Sequence, residues 1–151
     1  MRKFLLIAFI AVAATACKKD KDDSPSDLLI GTWVQTKFKV DYYDENDQIK
    51  ISESDEDVSY LKFDGSNCQG TSGSGNTDNS AYTITSENGK KYISFANPEF
   101  SDFPKFEITT LTKSSLVFKV ERPHEVYLYE DTNVSWESEK AVYTAEYTKQ
   151  Q

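Results

Sequence analysis

Two cysteines, Cys17 and Cys68, and one histidine, His124, are all the thiol and imidazole chemistry this chain of 151 residues holds. A Ser-His-Asp or Cys-His arrangement must recruit His124. It follows Pro123 at a strand start, has no nucleophile motif beside it, and reads as a surface or strand-edge histidine. Zinc needs several His or Cys ligands, which one free thiol and one imidazole do not supply. Cys68 reads as a small apolar residue near a hairpin. Gly70, Gly73 and Gly75 lack the flanking strand and helix that a phosphate-cradling loop requires. Asp41 to Asp57 holds eight acidic residues against Lys50. Clustered carboxylates suit calcium, and Asp55-Glu56-Asp57 or Asp44-Glu45-Asn46-Asp47 could offer them, but EF-hand spacing and its glycine are missing. The run reads as a long solvated loop. No catalytic residue, metal site or cofactor emerges, so the expectation is a protein without enzyme activity.

The whole chain carries a formal charge of −8, which argues against a nucleic-acid partner, because phosphate binding needs a basic face. The N-terminus has a different chemistry. Met1-Arg2-Lys3 is followed by an unbroken apolar run from Phe4 to Ala14, then Ala14-Thr15-Ala16-Cys17. The run is too short to span a membrane and its charges sit at one end, so residues 1–16 read as a signal peptide. Small residues directly before a cysteine resemble the lipobox of bacterial lipoproteins, with Ala14 in place of the usual leucine. That resemblance implies acyl chains on Cys17, and two or more chains hold a protein stably at a membrane. It implies an outer-membrane address in a bacterial envelope. Residues 17–27 are then the lipidated cysteine and a charged tether that cannot bury apolar surface. Lys21-Asp22-Asp23 resembles a short acidic export signal and equally fits an ordinary linker, so the face of the membrane stays open. Cys68 is left without an intrachain disulfide partner.

The remainder reads as all-β. Short runs rich in Val, Ile, Thr, Tyr and Phe alternate with turn residues, and no stretch keeps helical spacing. Strands are expected at 31–40, 58–63, 66–71, 80–86, 91–96, 105–111, 115–121, 125–130 and 141–148. Asp64-Gly65 and Asn88-Gly89 are hairpin turns, where the central residues must tolerate positive φ. Residues 72–79, rich in Gly, Ser and Asn, read as a mobile loop. Pro98, Pro104 and Pro123 fall between strands, where a missing amide costs no ladder bond. Alternation directs Leu61, Phe63, Tyr82, Ile84, Ile93, Phe95, Phe106, Ile108, Leu116, Phe118, Val120, Val126 and Leu128 inward, with Tyr143, Ala145 and Tyr147 in the last strand. The first strand is ambiguous. Thr32, Val34, Thr36, Phe38 and Val40 share one face and Trp33 the other, so either Trp33 plugs a barrel end or a bulge switches the phase.

Leu28-Leu29-Ile30-Gly31-Thr32-Trp33 resembles the opening of the lipocalin and calycin families, in which Gly-x-Trp closes the barrel floor. The hairpin from Leu61 to Ser66 and the stretch from Ile108 to Phe118 resemble small lipocalin-like lipoproteins of Gram-negative envelopes. The arginine that lipocalins pack on the floor tryptophan has no counterpart in the last strand, since Arg122 sits beside Pro123. The resemblance implies an antiparallel up-and-down meander closing into a lipocalin-like barrel of about eight strands over residues 28–148, with residues 149–151 as a tail. It assigns Gly31 and Trp33 to the floor. It further implies a small apolar or amphipathic ligand inside the barrel, with Tyr82, Phe95, Phe100, Phe103, Phe118 and Tyr143 as candidate contacts. Phe100 and Phe103 sit in a proline-stiffened loop suited to the barrel mouth. The alternative is a filled barrel that holds another envelope protein or a glycan through its acidic and Phe-containing loops.

Overall fold

The computed structural model describes residues 24–55, 58–129 and 134–151. A short helix, α1 (Pro25–Leu29), opens the fold. Ser24 and Asp27 form a reciprocal capping box with each other's backbone amides, and Pro25 occupies the first turn, where its missing N–H costs nothing. The helix begins inside the segment read as tether, and it delivers Leu29 to the floor of the core.

The strands follow as β1 (Gly31–Tyr43), β2 (Ile49–Asp55), β3 (Tyr60–Phe63), β4 (Asn67–Thr71), β5 (Thr77–Glu87), β6 (Lys90–Phe95), β7 (Phe106–Leu111), β8 (Ser115–Pro123), β9 (Val126–Tyr129), β10 (Val134–Glu137) and β11 (Lys140–Lys149). β1, β3, β4, β5, β6, β7, β8 and β11 pair antiparallel in that order, and β11 returns to β1. The eight strands thus close, which leaves the barrel without a free edge apart from the segment of β1 taken by β2. Asn88 and Gly89 both adopt positive φ, as a two-residue hairpin requires, whereas at Asp64-Gly65 only Gly65 does and the turn runs from Asp64 to Asn67, with Asp64 N donating to Asn67 O at 3.1 Å.

Both readings of the first strand meet in one device. Trp33 is fully buried at the barrel floor, and the β1–β11 register slips between Gln35 and Lys37. The extra residue, Thr36, reverses the alternation. Trp33 and Gln35 face inward before it, and Phe38, Val40 and Tyr42 after it.

Four expectations need correction. The acidic run is not one loop: residues 41–43 end β1 and 49–55 form β2, whose residues pair with 38–43 of β1. The carboxylates are absorbed along this ribbon: Glu53 accepts from Tyr42 Oη at 3.0 Å, Lys50 pairs with Asp44 at 2.8 Å and Lys39 with Asp41 at 2.7 Å. Asp44 also accepts the amides of Asn46 and Gln48, so it closes the turn as an Asx motif. Of the second candidate calcium cluster, Glu56 and Asp57 lie outside the described residues. Residues 72–79 are largely ordered: Ser72 and Asn76 close a tight turn at 2.9 Å and β5 starts at Thr77. Pro123 is not between strands but ends β8 opposite Lys140, and β11 runs through Lys149 into the segment read as tail. Finally, residues 126–129 do not join the barrel. They pair only with β10, and Val126 and Leu128 are 50% and 67% exposed rather than inward. The opposite face of that hairpin, with Tyr127 and Trp136, packs instead on a second small core of Val40, Tyr42 and Ala141.

Candidate functional site

The barrel interior divides into two levels. At the floor, Trp33, Phe63, Leu29, Ile93, Leu116 and Cys68 are fully buried and leave no space between them for a ligand. Trp33 Nε1 donates to Leu29 O at 2.7 Å, so α1 satisfies the indole while covering the barrel end. Burial pushes the Cys68 thiol up to about 12, well away from the thiolate form that reacts. Tyr82 belongs to this level. Its ring lies edge-on to Phe63 at 5.1 Å, and its buried hydroxyl has no hydrogen-bond partner among the described residues.

Above the floor the walls part into a chamber of about 300 Å³. Its surface is mainly aromatic: Phe38, Phe95, Phe100, Phe103, Phe106, Phe118, Tyr143 and Tyr147, with Leu61, Val120 and Ala145 between them. Of the six candidate contacts, Phe95, Phe100, Phe103, Phe118 and Tyr143 therefore line one space, and Tyr82 does not. Gln35, Ser101 and Asp102 supply the polar part of the wall. Ser59 Oγ donates to Gln35 Oε1 at 2.8 Å, and Tyr147 also bonds to Ser59. Burial drives the Tyr147 hydroxyl up to about 12, so at neutral pH it faces the chamber as a neutral group. Tyr143 is raised as well, first by burial and then by nearby Glu125.

The loop between β6 and β7 roofs this space. Asn97 roots it on β5, with its amide donating to Ser80 Oγ at 2.9 Å and its side chain to Asn79 O at 3.2 Å. Phe100 then stacks on Phe95 at 4.7 Å, and Phe103 meets Phe106 and Tyr143 at 5.5 and 5.0 Å. The Arg122 guanidinium caps Phe103 from outside at 4.4 Å. The loop thus lies at the end opposite Trp33, over the mouth.

Sequence reasoning missed Gln35 and Phe38 as wall residues, because the bulge at Thr36 changes their phase without any signal in residue type. It named Phe106, Val120 and Ala145 as inward without placing them at the chamber. His124 has positive φ at the β8–β9 junction and is exposed, 3.5 Å from Glu137. Cys17 lies outside the described residues.

A closed eight-stranded antiparallel barrel, floored by a Gly-x-Trp tryptophan under a short N-terminal helix, is a lipocalin-like fold. No protein-family model matches the chain, and no curated protein matches it. Among solved structures, a lipocalin-like protein from Bacteroides uniformis ATCC 8492 is similar over 82% of this chain and 99% of that one, at 14% identity and a TM-score of 0.40.

Proposed function

We propose that this protein binds a compact, mainly apolar small molecule in the barrel chamber, and that acyl chains on Cys17 anchor it to the bacterial outer membrane. One observation carries the binding reading: the roughly 300 Å³ chamber walled by aromatic rings above an otherwise filled floor. Cavities of about 150 Å³ already accept a benzene ring, so this one suits a ligand of one or two rings or a short branched chain. The filled-barrel alternative lacks such a space and is disfavoured for that reason. α1 enters at the floor, so an anchor on Cys17 attaches to the closed end of the barrel.

The experiment is titration with an uncharged fluorescent probe, N-phenyl-1-naphthylamine, at low and high salt. Apolar burial is not screened, so binding should be salt-insensitive, and Ala145→Phe should abolish it by filling the chamber. No binding to the wild type, with an unperturbed fold, would overturn the reading.

A further inference from the structure

Phe100 borders two spaces. It lines the inner chamber and also a surface cleft of about 190 Å³ bounded by residues of β3, β4 and β5. Leu61 is shared in the same way. The ring fits there because position 70 is glycine: a Cβ on Gly70 would stand 3.0 Å from Phe100 Cε2 and 3.1 Å from Cζ. Any side chain at position 70 would crowd the ring, which would have to give by a few tenths of an ångström.

Each space holds one carboxylate, Asp102 at the inner chamber and Asp78 at the outer cleft. The outer cleft is bounded by Ser59, Thr71, Ser72, Asn76 and Asp78, and Asp78 is its single charged residue. The strand register places that carboxylate. Trp33 pairs with Leu61, Leu61 with Gly70 and Gly70 with Asp78, so all four share the inner face of the barrel. Asp78 itself is exposed, near the start of β5 on that face. Among the described residues Asp78 forms no ion pair.

We infer that Phe100 is a movable partition, and that the ligand is an amphipathic amine: its apolar body fills the inner chamber and its ammonium group passes Phe100 to meet Asp78. This rests on the chamber being the ligand site and adds the charge and position of the polar end. A carboxylate head is disfavoured there, by Asp78 and by a chain whose net charge is −8.

The test compares 4-phenylbutylamine, 4-phenylbutanol and 4-phenylbutyrate by calorimetry on the full chain. The amine should bind about fivefold more tightly than the alcohol, as one partly exposed ion pair provides, and the carboxylate more weakly than either. Raised salt and Asp78→Asn should each erase the amine's advantage while leaving the alcohol's affinity unchanged. Phe100→Ala should speed association of the amine several-fold, because no ring has to move. Equal binding of amine and alcohol, an advantage that survives Asp78→Asn, or an unchanged association rate would overturn the inference and leave the chamber reading intact. Failure of the alcohol to bind would overturn both. Thermal melts of each variant separate these results from unfolding.

Discussion

The Lys149 ammonium lies 5.0 Å from the centre of the Trp33 ring and donates to Leu28 O at 2.8 Å. A cation thus covers the Trp33 ring from the last residue of β11, directly opposite Trp33 in register. Its stem crosses Gly31, where an added Cβ would stand 2.7 Å from Lys149 Cε and where φ is +127°. Gly31, Trp33 and Lys149 form one floor unit. Lys149→Met keeps the stem but loses the cation and its hydrogen bond, and should cost about 1–2 kcal/mol. Trp33→Ala should cost about 3–5 kcal/mol. Urea melts measure both, and a Trp33→Ala loss under about half a kcal/mol, typical of surface sites, would remove the floor role.

The bulge at Thr36 makes a different prediction. Inserting one alanine between Lys37 and Phe38 would shift the phase a second time and turn Phe38, Val40 and Tyr42 away from the two cores they serve. The insertion variant should lose its cooperative thermal transition, whereas Thr36→Ala, which removes only a 3.2 Å bond to Glu146 O, should melt within about 1 kcal/mol of wild type. A well-folded insertion variant would show that the position of the phase switch is dispensable.

These two cases also explain what was legible in the sequence. The hairpins at Asp64-Gly65 and Asn88-Gly89 were readable because the residue types that permit positive φ are few. Inward rings such as Phe95 and Phe118 were readable because their strands keep strict alternation. Gln35 and Phe38 were not, since a bulge can be accommodated by many residue types. β2 was hidden because charge dominates its composition, while its structure comes from pairing with β1 and from Ile51 covering the second core. β9 alternates as a barrel strand does, but Tyr127, not its neighbours, carries the packing face, and Tyr42 receives it at 5.3 Å.

The buried acids of the core predict an alkaline limit to stability. Cys68 is raised from 9.0 to about 12 and Tyr147 from 10.0 to about 12, in both cases mainly by burial. Above the unfolded values the unfolded chain gives up these protons while the folded chain keeps them, so stability falls as pH rises. The decline should begin near pH 9 and steepen past pH 10. Cys68→Ala should delay its onset to the tyrosine range. A melting temperature that stays flat between pH 8 and 11 would contradict the burial of both groups.

The same burial makes Cys68 a reporter of folding. Iodoacetamide at pH 8 should leave it unmodified in the native protein and label it fully in urea, and reductant should not change the melt, because the fold relies on no disulfide. Rapid native labelling would show that the floor opens.

Cys17 can be tested without reference to the barrel. Under the lipid-anchor proposal, the protein expressed in a Gram-negative bacterium should partition into the detergent phase of a phase-separating surfactant, and Cys17→Ser should move it to the aqueous phase, because acyl chains on Cys17 would supply the membrane affinity. Ala16 should matter as well, since the peptidase admits only a small residue before the cut: Ala16→Trp should leave a longer, unprocessed precursor on mass spectrometry. Cys68→Ser serves as the control and should leave partitioning unchanged, because its thiol is sealed under the barrel floor. If wild type and Cys17→Ser partition alike, the anchor is excluded, while the chamber, which depends only on the strands from Gly31 onward, remains to be judged by its own titration.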